Sequence, residues 1–137
     1  MYRKILLWGL ILSLFSVAFG AFGAHALKQL VLPEKVALFE TGVRYQFLHA
    51  FALILLASYA HQNSNDIVNQ KDIAWASNFF LLGIMFFSGS LYLLTFQPLC
   101  SYNFSKLAGP ITPIGGLFLI LGWATWAKLV WQHKVDK

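Results

Sequence analysis

The stretch Phe19-Gly20-Ala21-Phe22-Gly23-Ala24-His25-Ala26-Leu27-Lys28 decides how the chain folds, because it closes an uncharged apolar run that opens at Ile5, just after Tyr2-Arg3-Lys4. Two readings compete for it. A basic start, an apolar middle and the small residues of Ala24-His25-Ala26 have the form of a secretory signal and its cleavage site. The uncharged run, however, is about 22 residues long, against roughly 7 to 15 for a signal and about 20 for a helix that crosses a bilayer. Ser16, Gly20 and Ala24 also recur every fourth residue, a stripe of small side chains of the kind that lets membrane helices approach closely. A disposable signal needs no packing face. The stretch therefore predicts the packing end of a retained first membrane helix.

Composition supports that class. Of 137 residues, 58% are hydrophobic and 11% charged, where soluble domains carry about 25% charge. The chain reads as one membrane domain over residues 1–137. The net charge of +5 does not indicate nucleic acid, because the basic residues are scattered at the ends of apolar runs and form no stripe or block. They fit contacts with lipid headgroups. Cys100 stands alone and forms no internal disulfide, and no cysteine or histidine pair has zinc-site spacing, so no cofactor is expected.

The fold expected is all-α, an integral membrane four-helix bundle with spans at about 5–26, 43–61, 73–96 and 111–130. Pro33-Glu34-Lys35 is a helix opening, which predicts a short interfacial helix between spans one and two that runs into the second span or kinks before it. Within it Glu40 lies four residues ahead of Arg44, the favourable order for an interfacial ion pair. His61-Gln62-Asn63-Ser64-Asn65-Asp66 reads as a polar turn, and Gln97 to Gly109 as a loop after which Pro110 and Pro113 fix the start of span four. Arg3, Lys4, Lys71, Lys128, Lys134 and Lys137 then share one side, against Lys28, Lys35, Arg44 and Lys106 opposite. That bias predicts both termini in the cytoplasm. Trp8, Trp75, Trp126 and Trp131 all fall at span ends on the same side, with Trp123 about two turns deeper than Trp131.

Eight polar residues fall in the other, outer half of the bilayer on this topology: His25, Tyr45, Gln46, His49, Ser88, Ser90, Tyr92 and Thr112. Tyr45 and His49 are one helical turn apart, as are Ser88 and Tyr92, so two polar faces can meet inside the bundle. The leading reading is structural: such groups hydrogen-bond neighbouring helices and hold them in register. The alternative is a small-solute or proton-coupled transport or binding site centred on His49, whose imidazole has an ordinary pKa of about 6.5. A metal held by His25 and His49 lacks a third ligand. No nucleophile, base and acid stand together in the sequence, which predicts a protein that is not an enzyme. Its expected partners are the lipid bilayer and a second copy or another membrane protein, since so short a chain encloses little space of its own.

Four ordered motifs carry a resemblance. Gly20-Ala21-Phe22-Gly23-Ala24-His25-Ala26-Leu27, Thr41-Gly42-Val43-Arg44-Tyr45-Gln46-Phe47-Leu48-His49-Ala50, Phe87-Ser88-Gly89-Ser90-Leu91-Tyr92 and Gly109-Pro110-Ile111-Thr112-Pro113-Ile114-Gly115-Gly116 resemble the YgdD family of small inner-membrane proteins, a domain of unknown function with animal transmembrane relatives. The resemblance implies a four-helix protein of the bacterial inner membrane and no established activity.

Overall fold

The computed structural model describes residues 1–63, 69–99 and 105–135. Ser64-Asn65-Asp66 of the polar turn, Cys100, Lys137 and the side chain of Lys134 lie outside the described residues. Among the described residues, five α-helices run in chain order: α1 Tyr2–Ala24, α2 Pro33–Gln62, α3 Asn69–Gly83, α4 Gly89–Phe96 and α5 Ser105–Val135. A π-helical turn, Ile84–Ser88, joins α3 to α4, so these two form a single span. Four helical segments are thus long and apolar enough to cross a membrane.

The short interfacial helix expected between spans one and two is not a separate element. Only a single 3₁₀ turn, Leu27–Gln29, lies between α1 and α2, and α2 runs unbroken for 30 residues from Pro33. Proline suits the first helical position, where its missing N–H would be unbonded anyway. Nothing in Val36-Ala37-Leu38-Phe39 interrupts the turns that follow, because Val36 and Phe39 are buried and carry the apolar face straight through. The loop expected to run to Gly109 is also shorter, since α5 begins at Ser105 and takes Pro110 and Pro113 into its body. Prolines inside a helix are tolerated in membrane proteins, where neighbouring helices and hydroxyl side chains re-satisfy the freed backbone.

The packing order is α1 on α2, α2 on the α3–α4 span, and that span on α5. The two flanking helices bury little else. On α1 the buried line is Gly9, Ser16 and Gly23. On α5 it is Ala108, Gly115, Gly122 and Leu129. Both repeat every seven residues, the period that keeps a seam facing its neighbour in left-handed packing. Ser16 therefore stands in the α1 seam as expected, but Gly20 is only half-buried and Ala24 is exposed. A four-residue step drifts about 40° around a helix at every turn, whereas a seven-residue step drifts about 20° in two turns.

Between the flanking helices lies the apolar core, with Leu53, Leu56, Ile73, Ala76, Phe80 and Leu129 fully buried. At the end of the bundle where α1 finishes, the rings of Phe19, Phe22, Phe39, Tyr92 and Phe96 pack on one another at centroid separations of 5.0 to 6.4 Å. Aromatic contacts at such spacing add about 0.5–1.5 kcal/mol per pair beyond burial. At the other end the Tyr2 ring lies 4.6 Å from His61, and Lys128 Nζ pairs with Asp72 at 3.0 Å.

Candidate functional site

The polar residues gather into three separate links, not one cluster. In the first, Gln46 is 4% exposed on the buried face of α2. Its Nε2 donates to the Leu12 carbonyl of α1 at 3.1 Å, and its Oε1 accepts from the Tyr92 hydroxyl of α4 at 3.0 Å. One amide thus ties three helices together, with donor and acceptor each on the matching partner. The same Leu12 carbonyl accepts from Ser16 Oγ at 2.8 Å. Gly42 makes the Tyr92 position possible, because a Cβ there would lie 2.7 Å from the tyrosine ring.

The second link joins α2 to α5. His49 Nδ1 lies 2.7 Å from the Tyr45 carbonyl, and its Nε2 lies 3.1 Å from Trp123 Nε1. A carbonyl only accepts and an indole N–H only donates, so these partners select the neutral imidazole with its proton on Nδ1. In an imidazolium, two donors would face each other at Trp123. Phe80 packs on both the His49 and the Trp123 rings, at 5.8 and 5.3 Å. His49 is buried, at 6% exposed. Tyr45 takes part through its ring, stacked at 5.9 Å on His49 and 4.5 Å from Phe87, while remaining partly exposed.

The third link joins α4 to α5. Ser90 Oγ and Thr112 Oγ1 are 2.7 Å apart, Ser90 reaches the Phe87 carbonyl at 2.9 Å, and Thr112 reaches the Ala108 carbonyl at 3.0 Å. Two hydroxyl protons serve these three contacts, so one contact is always formed at the expense of another.

Two predicted members stand apart. His25 is exposed at the end of α1, where its Nδ1 lies 3.1 Å from the Ala21 carbonyl of its own helix. After Gly23 the helix ends and Ala24, His25 and Ala26 face outward, while Leu27 in the following turn is buried again with Val36 and Phe39 of α2. Ser88 is buried in the π turn, and its Oγ has no hydrogen-bond partner among the described residues. No group of three or more histidine, cysteine, aspartate or glutamate side chains that could hold a metal occurs among the described residues, and His25 and His49 belong to different surroundings. Glu40 and Arg44 do not form the expected ion pair: the described residues contain one ion pair, Lys128 to Asp72. Both are exposed on α2, where an i,i+4 pair contributes only about 0.3–0.5 kcal/mol and does not fix two long side chains. They line instead a groove of about 350 Å³ between α1 and α2.

Sequence reasoning missed Trp123 as a partner. Its depth was the available signal, since it lies about two turns inside the tryptophans that mark the interface, and an indole N–H at membrane depth, away from water, calls for an acceptor. The backbone acceptor at Leu12 has no sequence signature.

The chain matches the family described as "Protein of unknown function (DUF423)" over residues 19–116. It is 35% identical over 121 residues to a UPF0382 membrane protein of Staphylococcus haemolyticus, covering 88% of this chain and 89% of that one. A UPF0382 membrane protein of Haemophilus influenzae is 34% identical over 120 residues, covering 88% of this chain and 87% of the relative. The UPF0382 inner membrane protein YgdD of Escherichia coli is 34% identical over 126 residues, covering 89% and 85%. No solved structure matches the chain. The residues matched by the family include all three polar links except Leu12, Ser16 and Trp123, and with four membrane-spanning segments beside them the chain belongs to the UPF0382 family of membrane proteins of unknown function.

Proposed function

We propose that this protein is a structural or accessory component of the bacterial inner membrane, not an enzyme, whose polar links hold four helices in fixed register. The observation that supports this reading most directly is Gln46, which uses both ends of its amide on helices other than its own. A binding site would leave polar atoms turned toward a cavity. Here the His49 ring nitrogens both have protein partners and the side chain is buried, which gives transport centred on His49 no support. Both termini are assigned to the cytoplasm, on the bias of basic residues toward the end that holds Arg3, Lys4, Lys71 and Lys128. The partner in this role is another membrane protein or a second copy, offered the exposed apolar faces of α1 and α5.

The test is thermal unfolding in detergent of His49→Phe and Tyr92→Phe. The first leaves the Trp123 N–H without its acceptor and is expected to cost about 1–3 kcal/mol. The second removes one interhelical bond and is expected to cost roughly 0.6 kcal/mol, the average in membrane proteins. Unchanged unfolding in both would refute the structural role.

A further inference from the structure

We propose that the groove between α1 and α2 binds a glycerophospholipid whose headgroup carries a protonated amine, with its phosphate on Arg44, its ammonium on Glu40 and an acyl chain along Gly20 and Val43. This site is separate from the polar links and does not depend on their role.

The groove holds about 350 Å³ and its walls are apolar, with Val17, Phe19, Gly20, Val43 and Phe47 among them. Among the described residues, Glu40 and Arg44 are the charged ones that line it, and they do not pair within 4.0 Å. The depth of Arg44 follows from the helix register. Gly23 lies against Phe39 and the Leu12 carbonyl against Gln46, so Arg44 stands near the level of Val17. At 1.5 Å per residue that is about 12 Å inward of His25. A guanidinium at such depth is costly without a counter-charge, and its long stem can carry the head outward toward the interface. Phosphate is the anion available there, and the planar fork of arginine binds it through two parallel N–H donors.

Glu40 supplies the second half of the match. It lies four residues, about 6 Å, nearer the end of the bundle than Arg44. From the membrane centre outward the protein presents apolar groove, then cation, then anion. An amine-bearing phospholipid presents acyl chain, then phosphate, then ammonium on a two-carbon link. The two orders are complementary. A purely anionic lipid such as phosphatidylglycerol would set an uncharged glycerol beside Glu40 and leave that carboxylate without a counter-charge, and an apolar helix of a second copy would cover both charges without neutralising either. Room for the headgroup lies next to Glu40, in a cavity of about 240 Å³ that it shares with Lys28 and Val36.

The experiment is native mass spectrometry of the full-length protein with added phosphatidylethanolamine, phosphatidylglycerol or phosphatidylcholine of matched chains. Phosphatidylethanolamine is expected to be retained on the order of tenfold better than either of the others, which corresponds to about 1.4 kcal/mol. Arg44→Gln lowers retention of all three lipids. Glu40→Gln removes the preference for the amine lipid over phosphatidylcholine, and Asp72→Asn at the far end leaves the preference intact. Equal retention of the three lipids, a preference for phosphatidylglycerol, or a dimer that excludes lipid would each overturn the proposal. A second measurement guards against damaged variants: phosphatidylethanolamine should raise the unfolding temperature of the unmodified protein more than the other two lipids do. An equal rise with all three counts against the site.

Discussion

The two flanking helices, α1 and α5, meet the centre of the bundle through the same seven-residue spacing, yet what their glycines touch differs. On α1, Gly23 faces the Phe39 ring, where a Cβ would come to 3.0 Å, and Gly9 faces the Ile54 side chain and the Ala50 carbonyl, at 2.7 and 2.9 Å. On α5, Gly115 faces the backbone of Phe86 and Phe87 in the π turn, closer than any side chain would permit. A ring or an isoleucine can rotate away. A backbone engaged in helical hydrogen bonds cannot. Lipid tails are as apolar as leucine, so close packing is much of what drives membrane helices together, and the α5 seam has least freedom to absorb an added atom at Gly115, while Gly122 on the same seam faces the Phe80 ring, where a Cβ would come to 2.7 Å.

The largest effect is therefore expected from Gly115→Ala, which should destabilise the protein at or above the upper end of the roughly 1–3 kcal/mol typical of overpacking. Thermal unfolding in detergent measures it, and a change below that of Gly9→Ala would erase the distinction between the seams. Gly9→Ala should cost about 1–2 kcal/mol, since Ile54 can move but the Ala50 carbonyl cannot. Gly89→Ala should change sign. Its backbone is already helical, with φ −60° and ψ −43°, and a Cβ there meets nothing within 4 Å. Alanine is favoured over glycine in a helix by up to about 1 kcal/mol, so this variant is expected to be as stable or more so. Asp72→Asn should have the smallest effect, under about 1 kcal/mol and shrinking with added salt, because Lys128 is more than half exposed. A loss larger than that of Gly9→Ala would mean that charge, not close packing, holds α5 in place.

The number and class of the helices were legible because uncharged runs of bilayer length are few and long. The seams were legible only in part. Small residues in Phe19 to Lys28 mark α1 as a packing helix, but Ser16 fits a four-residue and a seven-residue line equally, and only a neighbouring helix decides between them. The polar residues illustrate the same limit. Spacing correctly brings Tyr45 and His49 onto one face, since that is a property of one helix. It does not say that His49 faces Trp123 while Tyr92 faces Gln46, because those pairings depend on how helices rotate against each other. His25 was misplaced for a related reason. It sits at a helix end, where one residue of termination turns a side chain from seam to surface.

The π turn changes what a deletion would mean in this chain. In the span that contains it, Ala76, Phe80, Ile84 and Ser88 are all buried, three steps of four in succession. At about 100° per residue, a regular helix would have rotated such a line by roughly 120°. The wider turn at Ile84–Ser88 takes up part of that rotation, so that Leu91 and Thr95 still face α2. Loss of any one residue from Ile84 to Ser88 would shorten the span by hardly more than an ångström. Because the wide turn holds about one residue more than an α-helical turn, that loss would turn it into a regular turn and leave Gly89 to Phe96 near their present phase, whereas the same loss within the regular turns of α3 would swing that segment about 100° around the axis and carry Ser90 and Tyr92 off their partners together.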